Sequence, residues 1–197
     1  MIDAMAKSNR ENEIKLAFDA RETAVERLVK AGAQPEHERA FEDNVLFDLA
    51  DRRLTRSGRI LRLRDSRGKT LLTFKGPVEG DHAHKVRTEH ETEVGDPASF
   101  RSILSELGFE IVYRYQKYRS TYTFEEVEAA VDETPIGTFV ELEGPPDQVE
   151  RAAAALGARP SEFIRATYRE LQEQHAAKHG IVAGDMLMPR RGPGSPR

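Results

Sequence analysis

Glu11-Asn12-Glu13-Ile14-Lys15 reads as the opening of a β-strand whose two faces differ in kind. Strand side chains alternate, so Glu11, Glu13 and Lys15 point one way while Asn12 and Ile14 point the other. Two carboxylates spaced this way lie roughly 6.6 Å apart and repel by about 2.5 kcal/mol at an effective dielectric near 20, against about 0.6 kcal/mol in bulk water. On an open strand face the motif costs little. Inside an enclosed cavity it calls for a cation.

The same division recurs down the chain. Arg62 and Arg64 alternate with Leu61 and Leu63; Thr73 and Lys75 with Leu72 and Phe74; Arg87, Glu89, Glu91 and Glu93 with Val86, Thr88, His90 and Thr92. Lys117 and Arg119 alternate with Tyr118 and Ser120, Glu141 and Glu143 with Val140 and Leu142, and Asp132 ends the strand before that pair. Strands are expected at about 10–18, 40–48, 58–65, 69–76, 84–94, 109–123, 126–132 and 137–143, with a hairpin turn at Ser66-Arg67-Gly68. Consecutive strands without helical crossovers pair antiparallel, and about eight of them can close into a barrel. An open sheet with one wet face also satisfies this alternation. Charge that recurs in doublets and triplets, with Arg prominent, favours closure: the apolar parity then lies outside under amphipathic helices and the charged parity lines a lumen.

Four helices are marked by their caps. One spans Asp19 to Ala31 with a capping box between Asp19 and Glu22; one starts at Asp96 with Pro97 and ends at Gly108; one runs from Asp147, boxed with Glu150, to Leu156; the last begins at Ser161 and reaches about His179. The expected architecture is α+β, with residues 1–9 a disordered N-terminus, 10–180 a single domain and 181–197 a disordered tail rich in Pro, Gly and Arg. A net charge of −4 supplies no basic field for nucleic acid. No cysteine means no disulfide, thiolate metal site or thiol nucleophile, which suits the cytoplasm. Met1 to Arg10 lacks the apolar run of a signal peptide, and no stretch reaches the ~18 apolar residues of a membrane span.

A charged lumen needs matched contents, because unmatched buried charge is very costly. Lys15, Arg62, Arg64, Lys75, Arg87, Lys117 and Arg119 supply cations suited to a small-molecule triphosphate, with Arg giving bidentate recognition of phosphate oxygens. Glu11, Glu13, Glu89, Glu91, Asp132, Glu141 and Glu143 are hard oxygen ligands suited to Mg²⁺ or Mn²⁺.

These residues resemble the CYTH, or triphosphate tunnel metalloenzyme, superfamily, which includes class IV adenylyl cyclases, thiamine triphosphatases and inorganic triphosphatases. Glu11-Asn12-Glu13-Ile14-Lys15 is similar to its N-terminal signature. The likeness continues in order through Phe47-Asp48, Ile60 to Arg64, Leu72 to Pro77, Arg87 to Glu91, Lys117-Tyr118-Arg119, Asp132, Gly137 to Glu143 and Thr167 to Leu171. It covers about residues 10–175, with Phe47 standing where a Tyr is frequent. The resemblance implies an eight-stranded antiparallel closed β-barrel, a triphosphate tunnel, flanked by helices.

Three functions compete. In the first, a divalent-metal-dependent enzyme hydrolyses a triphosphate: Glu11, Glu13 and Glu143, with Glu141, hold one metal, Asp132 and the Glu89/Glu91 strand hold another, and Lys75 positions or deprotonates the attacking water. Lys75, Glu13 and Glu143 are then the catalytic set. In the second, a class IV adenylyl cyclase makes cyclic AMP and pyrophosphate from ATP, which requires an adenine pocket that the sequence does not reveal. The third is a non-catalytic polyphosphate- or nucleotide-binding module. No nucleic acid or membrane partner is expected, and the chain is a monomer or a homodimer.

Lesser motifs point elsewhere. Gly68-Lys69-Thr70 ends like a phosphate-binding loop, but Leu63 stands where the first Gly is required. His82, His84 and His90 are expected at the surface, and His175 and His179 on a frayed helix end.

Overall fold

Strand β1 (Arg10–Phe18) pairs on both sides, and this double pairing closes the sheet. Its first half runs antiparallel to β5 (Lys85–Glu93), with Glu13 opposite Lys85, and its second half to β8 (Gly137–Glu143), with Glu13 opposite Glu143. Around the barrel the order is β1, β5, β4 (Lys69–Lys75), β3 (Ile60–Ser66), β2 (Gln34–Leu49), β6 (Phe109–Phe124), β7 (Val127–Thr134) and β8, every pair antiparallel. The structure is a computed structural model that describes residues 10–80 and 84–189. The expected closed eight-stranded barrel is thus present. The β3–β4 hairpin turns on Arg67 and Gly68, both at positive φ, which matches the right-handed twist of its strands.

The apolar parity faces outward under helices, as closure requires. Ile14 and Leu16 of β1, Val131 of β7 and Val140 and Leu142 of β8 pack with Leu28 of α1 (Arg21–Lys30) and Val149 of α4 (Pro146–Ala155). On another side, Leu104 of α3 (Pro97–Glu106) covers Val45, Phe47 and Leu63. Each fully buried Leu or Val contributes about 1.5–3 kcal/mol, so the core of this molecule lies between sheet and helices and leaves the barrel axis to charge. Among the described residues no helix is long and apolar enough to cross a membrane.

Several element boundaries differ from expectation, each for a local reason. Strand β1 continues to Phe18, paired with Thr138, so Asp19 falls short of the N-cap; Ala20 takes that position without a side-chain cap. Pro145 and Pro146 start α4 one residue early, and Asp147 sits in its first turn. The last helix, α5 (Tyr168–His179), begins later than Ser161: Pro160–Glu162 makes a 3₁₀ turn, and Ile164 then bonds to the Lys15 carbonyl at 2.8 Å. A capping box of Thr167 and Glu170 starts α5 instead. Strand β2 begins at Gln34 rather than 40, because β6 pairs with its polar first half, Gln34 opposite Thr123. The short helix α2 (Arg53–Arg56) has no apolar period and is held by Asp48, whose carboxylate accepts from the backbone N–H groups of Leu49, Leu54 and Thr55 and from the Thr55 hydroxyl.

The expected tail narrows within the described residues. Met186 pairs with Tyr115 of β6 and is 1 % exposed, packed with Tyr113, Phe139 and Tyr168. An apolar side chain placed two residues after Gly184 thus joins the barrel's end. The N-terminal 1–9 and the stretch 190–197 lie outside the described residues.

Candidate active site

The charged parity converges on a cavity of about 860 Å³ along the barrel axis. Basic side chains outnumber acidic ones in its lining, although the whole chain is net negative. Three connected clusters make up the wall.

The first lies where β1 meets β5 and β8. Glu13 and Glu143 are register partners, and Glu143 faces Glu128 of β7 on its other side, so three carboxylates sit in a row. Lys75 Nζ lies against Glu11 and 2.8 Å from Glu89; Arg87 Nε donates to Glu11 at 3.1 Å; Lys85 Nζ donates to Glu13 at 2.7 Å. Burial and the Glu13 charge push the Glu11 carboxyl up to about 8, against Lys75 and Arg87. Desolvation, with Glu89, Glu13 and Glu128 adding, pushes Glu143 to about 7, and among the described residues Glu143 forms no salt bridge. Burial opposes ionisation of Glu13 as well, but Lys85, Lys15 and Lys75 hold it well below the usual carboxylate range. Lys75 is raised, burial being outweighed by Glu11, Glu13 and Glu89. An ammonium held charged in this way is a hydrogen-bond donor with no free lone pair to accept a proton.

The second cluster is cationic. Arg62 Nη1 donates to the Tyr115 hydroxyl at 3.3 Å and Nη2 to Thr73 Oγ1 at 3.1 Å. Arg64 Nη2 lies 3.2 Å from Glu91. Glu42 of β2, 2 % exposed, faces Lys117 at 3.6 Å and Arg64 at 4.0 Å, and these cations hold its carboxyl down at about 2 despite its burial. Burial and the neighbouring Arg62 and Arg119 lower Arg64. Crowding of like charge of this kind favours a bound anion.

The third cluster is centred on Asp132, which is fully buried behind the lining. Its two oxygens accept from Lys117 Nζ at 2.8 Å, from Arg119 Nε and Nη2 at 2.6 Å each, and from the Tyr168 hydroxyl at 2.6 Å. Arg119 also contacts Glu141, which pairs with Lys15 at 3.1 Å. The Lys15 and Lys117 ammonium groups lie over the Tyr168 ring, 4.6 and 5.1 Å from its centroid.

The predicted phosphate-binding cations Lys15, Arg62, Arg64, Lys75, Arg87, Lys117 and Arg119 all line the cavity, as do Glu11, Glu13, Glu89, Glu91, Glu141 and Glu143. Asp132 does not, and it is not brought to Glu89 or Glu91: its β7 position ties it to Arg119 on β6, and four donors already use its oxygens. Lys85, Glu128, Glu42 and Tyr115 escape the sequence reading. Lys85 shares the odd parity of Arg87 and Glu89 and was legible by extending that count two residues back. Glu42 was not, since its inward-facing neighbours Asn44 and Leu46 carry no charge. His84, expected at the surface, is 4 % exposed: Nδ1 lies 3.1 Å from Asn12 Oδ1, and the ring meets Phe163 edge-on. His90 is exposed beside Phe74, the His175 and His179 rings lie 4.4 Å apart on α5, and His82 lies outside the described residues.

The donor set of the first cluster fits a hard divalent cation in chemistry. Its ligand atoms are carboxylate oxygens, and burial, with neighbouring carboxylates adding, drives the Glu11 and Glu143 carboxyls toward neutrality. Among the described residues no three carboxylates or histidines converge on one point, and the neighbouring ammonium groups draw the carboxylates apart.

The description CYTH domain matches residues 9–171. A protein of Methanocaldococcus jannaschii named "Putative adenylate cyclase" is 35% identical over 134 residues, 68% of this chain and 75% of that protein. Among solved structures, a Vibrio parahaemolyticus protein described in the same words superposes with a TM-score of 0.74 at 20% identity, covering 85% of this chain and 99% of that one. A Pyrococcus horikoshii protein gives 0.71 at 26% identity, over 83% and 98%. A Hippeastrum protein, described as an adenylyl cyclase candidate with a dominant triphosphatase activity, gives 0.56 at 17% identity, over 87% and 97%. At 20% and 17% identity the Vibrio and Hippeastrum likenesses are of fold alone.

Proposed function

The chain belongs to the CYTH family, and from that membership we propose that its barrel binds a small-molecule triphosphate and hydrolyses it with the help of Mg²⁺ or Mn²⁺. One observation carries this: within a single cavity, the register row Glu13–Glu143–Glu128, whose Glu143 has no salt bridge among the described residues, shares the lining with the crowded cations Arg62, Arg64, Lys117 and Arg119. A metal triphosphate supplies both. Glu11, Glu13 and Glu143, with Glu89 nearby, would hold the ion, which when bound neutralises phosphate charge and favours in-line displacement. Arg62, Arg64, Lys117, Arg119 and Lys15 would orient the phosphate chain. Lys75, charged between Glu11 and Glu89, would fix the attacking water by donating to its oxygen. Water oxygen then bonds to the terminal phosphorus, the bond from that phosphorus to its bridging oxygen breaks so that the rest of the substrate leaves as a diphosphate (pyrophosphate from tripolyphosphate, a nucleoside diphosphate from a nucleotide), and the water proton passes to solvent or a phosphate oxygen. Preorganised cations facing the charge that builds on the phosphoryl oxygens provide the stabilisation.

A second candidate, cyclisation of ATP, gains support from one feature. Leu46, Ile60, Val78 and Val112 line the same cavity as the charged groups. Apolar lining of this kind can receive an organic group attached to the phosphates. Incubation with tripolyphosphate and with ATP, in Mg²⁺ and in Mn²⁺, separates the two. Orthophosphate from tripolyphosphate is expected. Inertness toward it, together with cyclic AMP and pyrophosphate from ATP, overturns hydrolysis in favour of cyclisation.

A further inference from the structure

We infer that the Tyr115 hydroxyl is a substrate-binding group, donating its proton to a phosphoryl oxygen held between Arg62 and Lys117. The inference rests on the lumen taking a triphosphate, as proposed above. Tyr115 lies on β6 with the inward parity of Lys117 and Arg119, and it lines the cavity. Its ring is wedged between Tyr113 and Tyr168, with centroids 6.0 and 5.7 Å away, and the residue is 7 % exposed, so the hydroxyl is held in place by packing. The phenolic oxygen accepts from Arg62 Nη1 at 3.3 Å, and among the described residues nothing accepts its proton.

A hydroxyl with one side committed to a guanidinium and the other unclaimed is a directed donor. Donation from Arg62 polarises the O–H bond, which strengthens the bond it gives. Burial works against ionisation of this phenol, yet Arg62 and Lys117 hold it below the usual tyrosine range. The neighbouring Tyr168 differs: its proton is already given to Asp132 at 2.6 Å. An anionic oxygen entering between Arg62 and Lys117 therefore meets three donors, two charged and one neutral, and the neutral one adds no repulsion to an already crowded cationic wall.

Tyr115→Phe keeps the ring and its packing and removes only the donor. With imidotriphosphate as the probe, whose bridging nitrogens resist hydrolysis, titration calorimetry in Mg²⁺ is expected to show binding weakened about 10-fold, the loss typical of one hydrogen bond to a charged group. Arg62→Ala should weaken it at least as much. Tyr118→Phe, on the outer face of the same strand, should leave it unchanged. Replacement of Tyr115 by 3-fluorotyrosine, a more acidic phenol of nearly the same shape, should tighten binding, a response that a purely structural role would not give. Wild-type affinity in Tyr115→Phe alongside loss in Arg62→Ala overturns the role of Tyr115 and leaves the tunnel intact. No binding by the wild type, or no loss in Arg62→Ala, overturns the tunnel assignment as well.

Discussion

Asp132→Asn removes one negative charge from a place where Lys117, Arg119 and Tyr168 all converge. The site is 0 % exposed, so solvent screens little of the change. With N–O separations of 2.8 and 2.6 Å, each cation gains about 6 kcal/mol from the carboxylate at an effective dielectric near 20, most of it offsetting desolvation. Taking away the shared partner leaves Lys117 and Arg119 buried side by side with only Glu42 and Glu141 to balance them. Breaking a buried pair of this kind costs about 3–5 kcal/mol, which for a chain of this size lowers the melting temperature by about 6–20 °C. Thermal unfolding followed by circular dichroism at pH 7, in EDTA so that bound metal cannot contribute, measures it. A melting temperature within about 2 °C of wild type, coupled with loss of the response to Mg²⁺, would refute this reasoning and return Asp132 to the role of metal ligand.

Other outcomes are expected from the two remaining clusters. Glu143→Gln should abolish turnover by orders of magnitude while the metal-free melting temperature holds or rises, since one member of the Glu13–Glu143–Glu128 row loses its charge; near-normal activity in Mg²⁺ removes Glu143 from the metal site. Because Glu143 and Glu11 are raised to about 7 and about 8, their contribution to stability is full below the ordinary carboxylate range and is lost as pH rises through those values. The metal-free protein should therefore lose stability between about pH 4.5 and 8, and stabilisation by Mn²⁺ should grow over the same interval; a flat metal effect contradicts this. Arg62→Ala should raise KM for a triphosphate and lower kcat, whereas Arg53→Ala, paired with Asp51 at the surface, should change neither; equal losses point to a diffuse field instead of a lined tunnel.

Alternation made most of this legible. Period-two charge on Arg62 and Arg64, on Arg87 to Glu91 and on Glu141 and Glu143 marks a single face, and that face is the lumen. What sequence could not give was the order of strands across the closure, hence which charges meet. Asp132 carries the same charge as Glu89, yet it lies among Lys117, Arg119 and Tyr168, because register and not residue type decides its neighbours. The first half of β2 was illegible for a related reason. Gln34 to Arg39 has no apolar rhythm, and pairing with β6 alone makes it a strand. Capping signals misled where another element arrived first, as β1 did at Asp19 and the Ile164–Lys15 bridge did before α5.

The double pairing of β1 has a consequence for how the molecule comes into being. On a ribosome β1 emerges first, but one of its edges must wait for β5 and the other for β8, more than a hundred residues later. Contacts so distant along the chain form late and slow the approach to the native state. Until Gly137–Glu143 arrives, Ile14 and Leu16 lack the Val140 and Leu142 they pack with, and an unpaired edge is open to the wrong partner. Glu11, Glu13 and Lys15 ride on that same strand. The nascent protein thus acquires its chemistry only when β1 finds β8.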